Sequence, residues 1–214
     1  MNRWLLSLAA ALALAGCRGS APTRDGPPEA GIASLLLSCR LTLPAGQTGA
    51  GSVTLNLEGR DGNAQAYRLP LPSSRPSFYQ VEPGAYRLAP PRSLFGSAQA
   101  GLTVESEGRV YTAPLPPELE RASLDLKPRQ VLVLGELEVS LEGSPNQAPT
   151  ARVFLDDSAQ TRRSLLQEEI RLMMDPDAPP QRREAAIAWL PALEQALTGL
   201  LSDQRPTPWS RARQ

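Results

Sequence analysis

The class of fold is indicated by the stretch Val131-Leu132-Val133-Leu134-Gly135-Glu136-Leu137-Glu138-Val139. Its first four residues are continuously apolar, as is typical of a β-strand that is buried on both faces. After Gly135, apolar and charged residues alternate, which is typical of a strand with one solvent-facing side. Gly135 itself predicts a bulge or a bend between the two halves. The stretch therefore predicts a strand and supports a β fold class.

The same period-two alternation extends upstream to about Ile32. It is clear at Leu35–Leu43, Val53–Leu57, Tyr67–Leu71, Leu102–Thr112 and Leu124–Leu126. Turn signals separate these short runs: Asp61-Gly62, Glu82-Pro83-Gly84 and Glu107-Gly108. Short strands about every ten residues with turns between them are typical of an antiparallel β-sandwich or barrel. We therefore expect the fold to be mainly β, with an antiparallel β-sandwich over residues 32–156.

The chain changes character after residue 156. Asp157 or Ser158 can cap a helix whose apolar residues Leu166, Ile170 and Met173 share one face. The proline-rich segment 175–180 ends this helix. The sequence therefore predicts a helical hairpin over residues 157–203, followed by a disordered tail over residues 204–214.

The second helix is expected to begin near Gln181. One apolar stripe runs along it, formed by Ala186, Leu190, Leu193, Leu197, Leu200 and Leu201. Pro191 should kink this helix or divide it into two. A hairpin of this size is too small to be stable alone, so we expect the stripe to dock on the sheet or on a partner protein.

The amino terminus has the pattern of a signal peptide over residues 1–16. Arg3 precedes an apolar run, Leu5–Ala15, that is shorter than the ~20 residues a membrane-spanning helix needs. The run ends in Leu14-Ala15-Gly16-Cys17, which resembles the lipobox of bacterial lipoproteins. The resemblance implies cleavage between Gly16 and Cys17 and acylation of Cys17.

The lipobox resemblance also implies a location. In bacterial lipoproteins, retention at the inner membrane usually goes with aspartate after the acylated cysteine, whereas this chain has Arg18. The expected location is the outer membrane, facing the periplasm, with a membrane anchor made of lipid. Residues 17–31 are rich in Gly and Pro, which predicts a flexible tether.

Composition excludes several classes of function. The chain contains no histidine, which removes Ser-His and Cys-His nucleophile systems and histidine metal sites. Its 22 basic and 22 acidic residues cancel, so nucleic-acid binding is not expected. No cofactor or metal is predicted. Cys39 is the only thiol left after processing; it is expected to be buried, with a reactive thiol or an intermolecular bridge as the alternatives.

A set of carboxylates and a set of aromatic residues could each carry a site. Asp156-Asp157 could serve a hydrolase that uses carboxylates alone, but it fits a helix cap better. Glu168 and Glu169 are adjacent on a helix and point in different directions, so they are poorly placed for shared chemistry. The second set is aromatic. Tyr79, Tyr86 and Tyr111 could form a ligand platform on one sheet face, although core positions are the simpler interpretation.

One segment resembles a known domain family. The stretch Ser77-Phe78-Tyr79-Gln80-Val81-Glu82-Pro83-Gly84-Ala85-Tyr86-Arg87-Leu88 is similar to the end of carboxypeptidase-regulatory-like, prealbumin-type β-sandwich domains. Those domains have an aromatic strand, a Pro-Gly turn and then a tyrosine strand. The resemblance implies a structural or adhesive module and provides no catalytic residues.

Three functions remain open from the sequence. The leading hypothesis is a non-enzymatic outer-membrane lipoprotein that acts as a structural or protein-interaction module and contacts another envelope protein through its C-terminal helices. The second is a module that binds glycan, peptidoglycan or peptide through the tyrosine platform. The third is a carboxylate-dependent hydrolase built on Asp156 or Asp157.

Overall fold

A computed structural model describes residues 18–19, 26–44, 51–60, 66–73, 75–89, 101–106, 108–143 and 150–202. Gly16 and Cys17 lie outside the described residues, as do the predicted signal peptide, the Asp61-Gly62 turn and the predicted C-terminal tail. The fold class is confirmed, because two β-sheets are followed by two helices between residues 159 and 202.

The elements follow the chain in a simple order. The strands are β1 (Arg18–Gly19), β2 (Ala33–Thr42), β3 (Ser52–Gly59), β4 (Tyr67–Leu71), β5 (Ser77–Val81), β6 (Gly84–Leu88), β7 (Gly101–Ser106), β8 (Arg109–Pro114), β9 (Ser123–Leu126), β10 (Val131–Glu142) and β11 (Thr150–Asp156). The helices are α1 (Pro117–Arg121), α2 (Ala159–Met173) and α3 (Pro180–Ser202).

Among the described residues, seven strands form the first sheet, which we call sheet A. Its main path is β1-β4-β3-β6-β9. A branch is formed by β7, which pairs with the first residues of β3, and by β8, which pairs with β7. One edge of β3 pairs with β4, while the other is shared by β7 at Ser52–Thr54 and by β6 at Leu57–Gly59. The predicted hairpin around Gly108 is present as the β7–β8 pair.

Sheet B has the order β11-β10-β2-β5. Its central strands β2 and β10 are parallel, and β1 is parallel to β4 in sheet A, so the prediction of a wholly antiparallel sandwich is wrong at these two pairs. Parallel neighbours need a long crossover connection. Sheet A supplies it for the central pair, because most of its strands lie in the chain between β2 and β10.

Both faces of sheet B carry buried residues. One face packs against sheet A through Leu35, Leu37 and Leu134, and the other face packs against the helices through Leu36, Phe78 and Val133. The helix side of this second core is formed mainly by Leu166, Met173, Ala186, Trp189 and Leu193. The continuously apolar start of β10 is thereby explained, because its odd and even residues enter different cores.

The predicted irregularity at Gly135 is a β-bulge. Val133 pairs with Leu36 and Gly135 pairs with Leu37, so Leu134 is the extra residue in β10. Gly135 has a φ of 130°, and a Cβ at this position would lie 2.2 Å from the carbonyl oxygen of Asp156. Only glycine therefore fits where β10 meets the end of β11.

Helices α2 and α3 lie within the predicted hairpin over residues 157–203, whereas the short helix α1 was not predicted. The Ser158 hydroxyl accepts a hydrogen bond from the amide of Thr161 and caps α2, which confirms one of the two predicted caps. Pro191 lies inside α3 but does not divide the helix, contrary to one of the two predicted outcomes. Pro191 is exposed, so water can hydrogen-bond the carbonyl group that the proline leaves without a donor. No helix in the described part of the chain is long and apolar enough to cross a membrane.

Replacing Gly135 with alanine should destabilise the protein strongly. The new Cβ must displace backbone atoms of Asp156. In addition, the backbone at position 135 has a φ that residues other than glycine rarely adopt. We expect a loss of about 3 kcal/mol or more in the free energy of unfolding, measured by urea denaturation. Gly108→Ala is the matched control, because Gly108 has a φ of 71° and open space around it. It should cost only roughly 1–2 kcal/mol, and equal losses for the two variants would contradict the close approach.

Candidate functional site

The chain that follows the predicted lipidation site is part of sheet A. Arg18 pairs with Tyr67 and Gly19 pairs with Arg68, in parallel with β4. Cys17 is covalently joined to Arg18, so a lipid on Cys17 would leave the folded body beside the beginning of β4. This position defines the candidate functional site as the edge of the sandwich that carries β4.

Residues 26–29 lie against the same edge and reach the helices. The indole Nε1 of Trp189 donates to the carbonyl oxygen of Gly26 at 2.7 Å. The amide of Glu29 donates to Oε1 of Gln80 at 2.8 Å, and Nε2 of Gln80 donates to the carbonyl of Pro27 at 3.3 Å. These residues are held against the body, so the predicted free tether does not extend over them.

Trp189 links this segment to the core. Its ring packs edge-on against Phe78, with the ring centroids 4.8 Å apart at an interplanar angle of 70°. Trp189 was not among the predicted stripe residues of α3, and no local sequence pattern indicates its burial or its hydrogen bond. The two partners are 163 residues apart in the chain, and only the tertiary structure brings them together.

The predicted tyrosine platform does not form. Tyr79 and Tyr86 are buried, with 2% and 0% of their surface exposed, while Tyr111 is half-buried beside the core between the sheets. Buried rings cannot present a face to a glycan or a peptide. The simpler interpretation, that these residues belong to the core, describes Tyr79 and Tyr86.

The buried tyrosines hold the corner where the chain passes from sheet B to sheet A. The hydroxyl of Tyr86 donates to the carbonyl of Glu82 at 2.8 Å, and the amide of Glu82 donates to the hydroxyl of Tyr67 at 3.1 Å. A tyrosine bonded to the backbone a few residues upstream is the tyrosine corner of β-sandwiches. The hydroxyl of Tyr79 donates to the carbonyl of Pro70. The Glu82-Pro83-Gly84 turn therefore connects two sheets, because β5 and β6 do not pair with each other.

Burial shapes the acid–base behaviour of these phenols. Desolvation raises the pKa of Tyr86 above its ordinary value, and the neighbouring Tyr67 raises it further. Desolvation also raises the pKa of Tyr79. Both hydroxyls therefore remain protonated donors throughout the physiological range, as their hydrogen bonds to carbonyl groups require.

The carboxylate pair belongs to the helix cap. Asp156 accepts hydrogen bonds from the Ser158 amide at 3.0 Å and from the Thr161 hydroxyl at 2.6 Å, and these bonds lower the pKa of Asp156. Asp156 is therefore held as a charged acceptor at the start of α2. A hydrolase would need a raised pKa on one acid, so the geometry gives the carboxylate hypothesis no support.

The two adjacent glutamates of α2 point in different directions, as predicted. Glu168 forms an ion pair with Arg171 at 2.6 Å on the surface, whereas Glu169 is completely buried. Among the described residues, no group of three or more Cys, Asp or Glu side chains is placed to hold a metal ion.

Cys39 is buried in the core between the two sheets, as its apolar run predicts. Desolvation and, to a smaller extent, the negative charge of Glu136 together raise the pKa of its thiol from 9.0 to about 12. The thiolate is the reactive form of cysteine, so this residue is chemically inert in the folded protein.

The apolar stripe of α3 is used mainly inside the molecule. Ala186 and Leu193 are buried against sheet B, and Leu197 and Leu200 pack against the same core. Large apolar side chains that remain exposed on the helical hairpin are those of Ile187 at 64%, Leu201 at 59% and Met174 at 51%. Most of the predicted apolar stripe of α3 therefore packs against sheet B and is not free to bind a separate partner.

Comparison with known proteins adds little. No family model matches the chain, and no curated protein matches its sequence. Among solved structures, a proposed cell adhesion protein from Bacteroides ovatus matches with a TM-score of 0.25 and 12% sequence identity. The match covers 58% of this chain and 44% of that protein, so the chain spans less than half of its length. Similarity at this level assigns neither fold nor function.

Removing the hydroxyl of Tyr86 should weaken the corner between the sheets. In Tyr86→Phe the carbonyl of Glu82 loses its buried donor, so we expect the free energy of unfolding to fall by about 1–2 kcal/mol. Thermal unfolding followed by circular dichroism measures the change. Tyr111→Phe is the control, because Tyr111 is only half-buried. The tyrosine corner is refuted if Tyr86→Phe is as stable as the parent protein.

The thiol of Cys39 should resist modification in the native state. Because its pKa is raised from 9.0 to about 12, at a pH between these two values the thiol is protonated in the folded protein and ionised in the unfolded protein. Its contribution to stability should therefore be complete below pH 9 and decline as the pH rises toward 12. A thiol reagent at pH 8 should label unfolded protein much faster than native protein. Fast labelling of the native protein would show that Cys39 is accessible.

Proposed function

We propose that this chain is a bacterial lipoprotein, acylated on Cys17, that serves as a non-enzymatic structural or protein-interaction module at the periplasmic face of the outer membrane. One observation carries the proposal: Leu14-Ala15-Gly16-Cys17 closes an apolar run that begins at Leu5 and follows Arg3. Two or three acyl chains on one cysteine anchor a protein stably.

The arrangement of polar groups supports a role without catalysis. Asp156 is engaged in the cap of α2, Tyr86 in the corner between the sheets, and Cys39 in the core. Each of these three groups has a structural task of its own. The resemblance of residues 77–88 to carboxypeptidase-regulatory-like domains points to the same class of function, a structural or adhesive module.

The helical hairpin is the surface that we assign to an envelope protein partner. Ile187, Leu201 and Met174 keep about half or more of their surfaces exposed after the hairpin has docked on sheet B. Ile187 and Leu201 lie about four turns apart on α3, and Met174 follows the end of α2. We assign them a small and reversible contact and not an obligate one.

Acylation of Cys17 is the first point to test. The full precursor is expressed in a Gram-negative host with a fatty-acid analogue, and the membranes are separated on a density gradient. We expect the label and the outer-membrane location in the wild type, and neither in Cys17→Ala. Cys39→Ala is the matched control, because it removes the other cysteine and should keep both.

Two outcomes would contradict the proposal. A wild-type protein without label would show that the chain is not a lipoprotein. A labelled Cys17→Ala variant would place the lipid on another residue. By resemblance to bacterial lipoproteins, Arg18→Asp should keep the label but move the protein to the inner membrane, which tests the location separately from the acylation.

A further inference from the structure

The first residues after Cys17 meet the body at one end of the sandwich. Arg18 pairs with Tyr67, the first residue of β4, and the two strands run in parallel. The beginning of β4 lies beside the end of β3, because Tyr67 pairs with Leu57. A lipid on Cys17 would therefore attach the protein to a membrane at this end of the sandwich and not at its middle.

Strand pairing places four other segments at the same end. Ala33 at the start of β2 pairs with Val81, and Gly84 pairs with Leu126 at the end of β9. The amide of Arg60 donates to the carbonyl of Ala85 at 2.9 Å, and that of Arg129 donates to the carbonyl of Ile32 at 3.0 Å. We call this region the anchor end and define it as residues 29–32, 59–60, 82–84 and 127–130.

Three exposed basic side chains lie at the anchor end. Arg60, Lys127 and Arg129 are all exposed, and no ion pair within the described part of the chain involves them. The acidic residues within these ranges are Glu29, which is exposed, and Glu82, which is half-buried and whose backbone is held by Tyr67 and Tyr86. Asp125, which is exposed, lies beside the anchor end because it pairs with Ala85. Lys127 is also the only lysine of the chain.

The turn that carries two of these charges has an unusual backbone. The amide of Gln130 donates to the carbonyl of Lys127 at 3.1 Å, and the Gln130 side chain accepts from the amide of Lys127 at 3.0 Å. Arg129 has a φ of 61° and is the only non-glycine residue with positive φ among the described residues. Glycine is favoured at the third position of such a turn after proline. Arg129 occupies this position, and its side chain is exposed to solvent.

From the anchor position and this charge we propose that the anchor end rests on anionic phospholipid headgroups of the bilayer that holds the lipid on Cys17. This inference rests on the proposed function, because the lipid brings the anchor end to the membrane. The acyl chains supply the affinity, and Arg60, Lys127 and Arg129 fix the orientation by attraction to the headgroups within a Debye length. Sheet B then stands upright, with the Thr42 end of β2 turned away from the bilayer.

A pair of cysteine labels on one strand tests the orientation. Mature acylated protein is purified from the host, and Ala30→Cys or Thr42→Cys provides a labelling site just before β2 or at its end; both positions are exposed. The two sites are separated by roughly 30 Å or more at the rise of a β-strand. Cys39 is buried and should not react. The fluorophore is then read in vesicles that contain phosphatidylglycerol and a lipid with a nitroxide headgroup.

We expect the label at residue 30 to be quenched and the label at residue 42 to remain bright. Equal quenching of the two labels, or stronger quenching at residue 42, would overturn the proposed orientation. Mass spectrometry of the same sample separates the two proposals. A protein without acyl mass overturns both, whereas an acylated protein with the wrong quenching pattern overturns only the orientation.

A charge-neutralised variant tests the role of the basic residues. In the double variant Lys127→Gln and Arg129→Gln, the labels at residues 30 and 42 should be quenched equally. In neutral phosphatidylcholine vesicles, the labelled protein without these two charge substitutions should also show no difference in quenching. The matched control is Arg75→Gln combined with Arg109→Gln, which removes two exposed arginines from the opposite end of the sandwich. The inference fails if the control pair loses as much quenching as the test pair, or if vesicle charge has no effect.

Discussion

The rest of the structure depends on the packing of the helical hairpin against the outer face of sheet B. Phe78, Leu36 and Val133 lie side by side on three neighbouring strands, because Leu36 pairs with both of the others. The helices cover this row with Trp189 and its apolar neighbours. Each fully buried side chain of this size contributes about 1.5–3 kcal/mol. The hairpin is too short to be stable alone, so this row is what keeps it folded.

The β-bulge at Gly135 limits how far the helices can extend over the sheet. Before the bulge, Val133 faces the helices; after it, Glu136 and Glu138 occupy the outer face and form ion pairs with Arg40 at 3.0 and 3.3 Å. The outer face of sheet B is thus divided into an apolar half under the helices and a charged half in solvent. Exposed ion pairs of this kind contribute little stability, so their main effect is to keep the uncovered half of the sheet polar.

The same packing gives the amino-terminal chain its course. Trp189 is fixed by Phe78 in the second core, and its indole N–H then holds Gly26. Gln80, on the strand that carries Phe78, holds Pro27 and Glu29. A lipid anchor on Cys17 would therefore connect to both sheets and to the helices, and the position of the body at a membrane would follow from the fold and not from a loose linker.

The sequence by itself determined most of the strands, the two C-terminal helices and the irregularity at Gly135, because these depend on local periodicity and on the special backbone of glycine. The short elements β1 and α1 were not predicted. It also predicted burial of Cys39, a helix cap at Asp157 or Ser158 and the divergence of Glu168 from Glu169, since each follows from a few neighbouring residues. Only the tertiary structure decided that Tyr79 and Tyr86 are buried, since period-two alternation does not say which face of a strand meets the core. The same holds for the parallel pairing of β2 with β10 and for the bond between Trp189 and Gly26. These contacts join residues far apart in the chain, and their geometry exists only once both sheets and the helices have packed together.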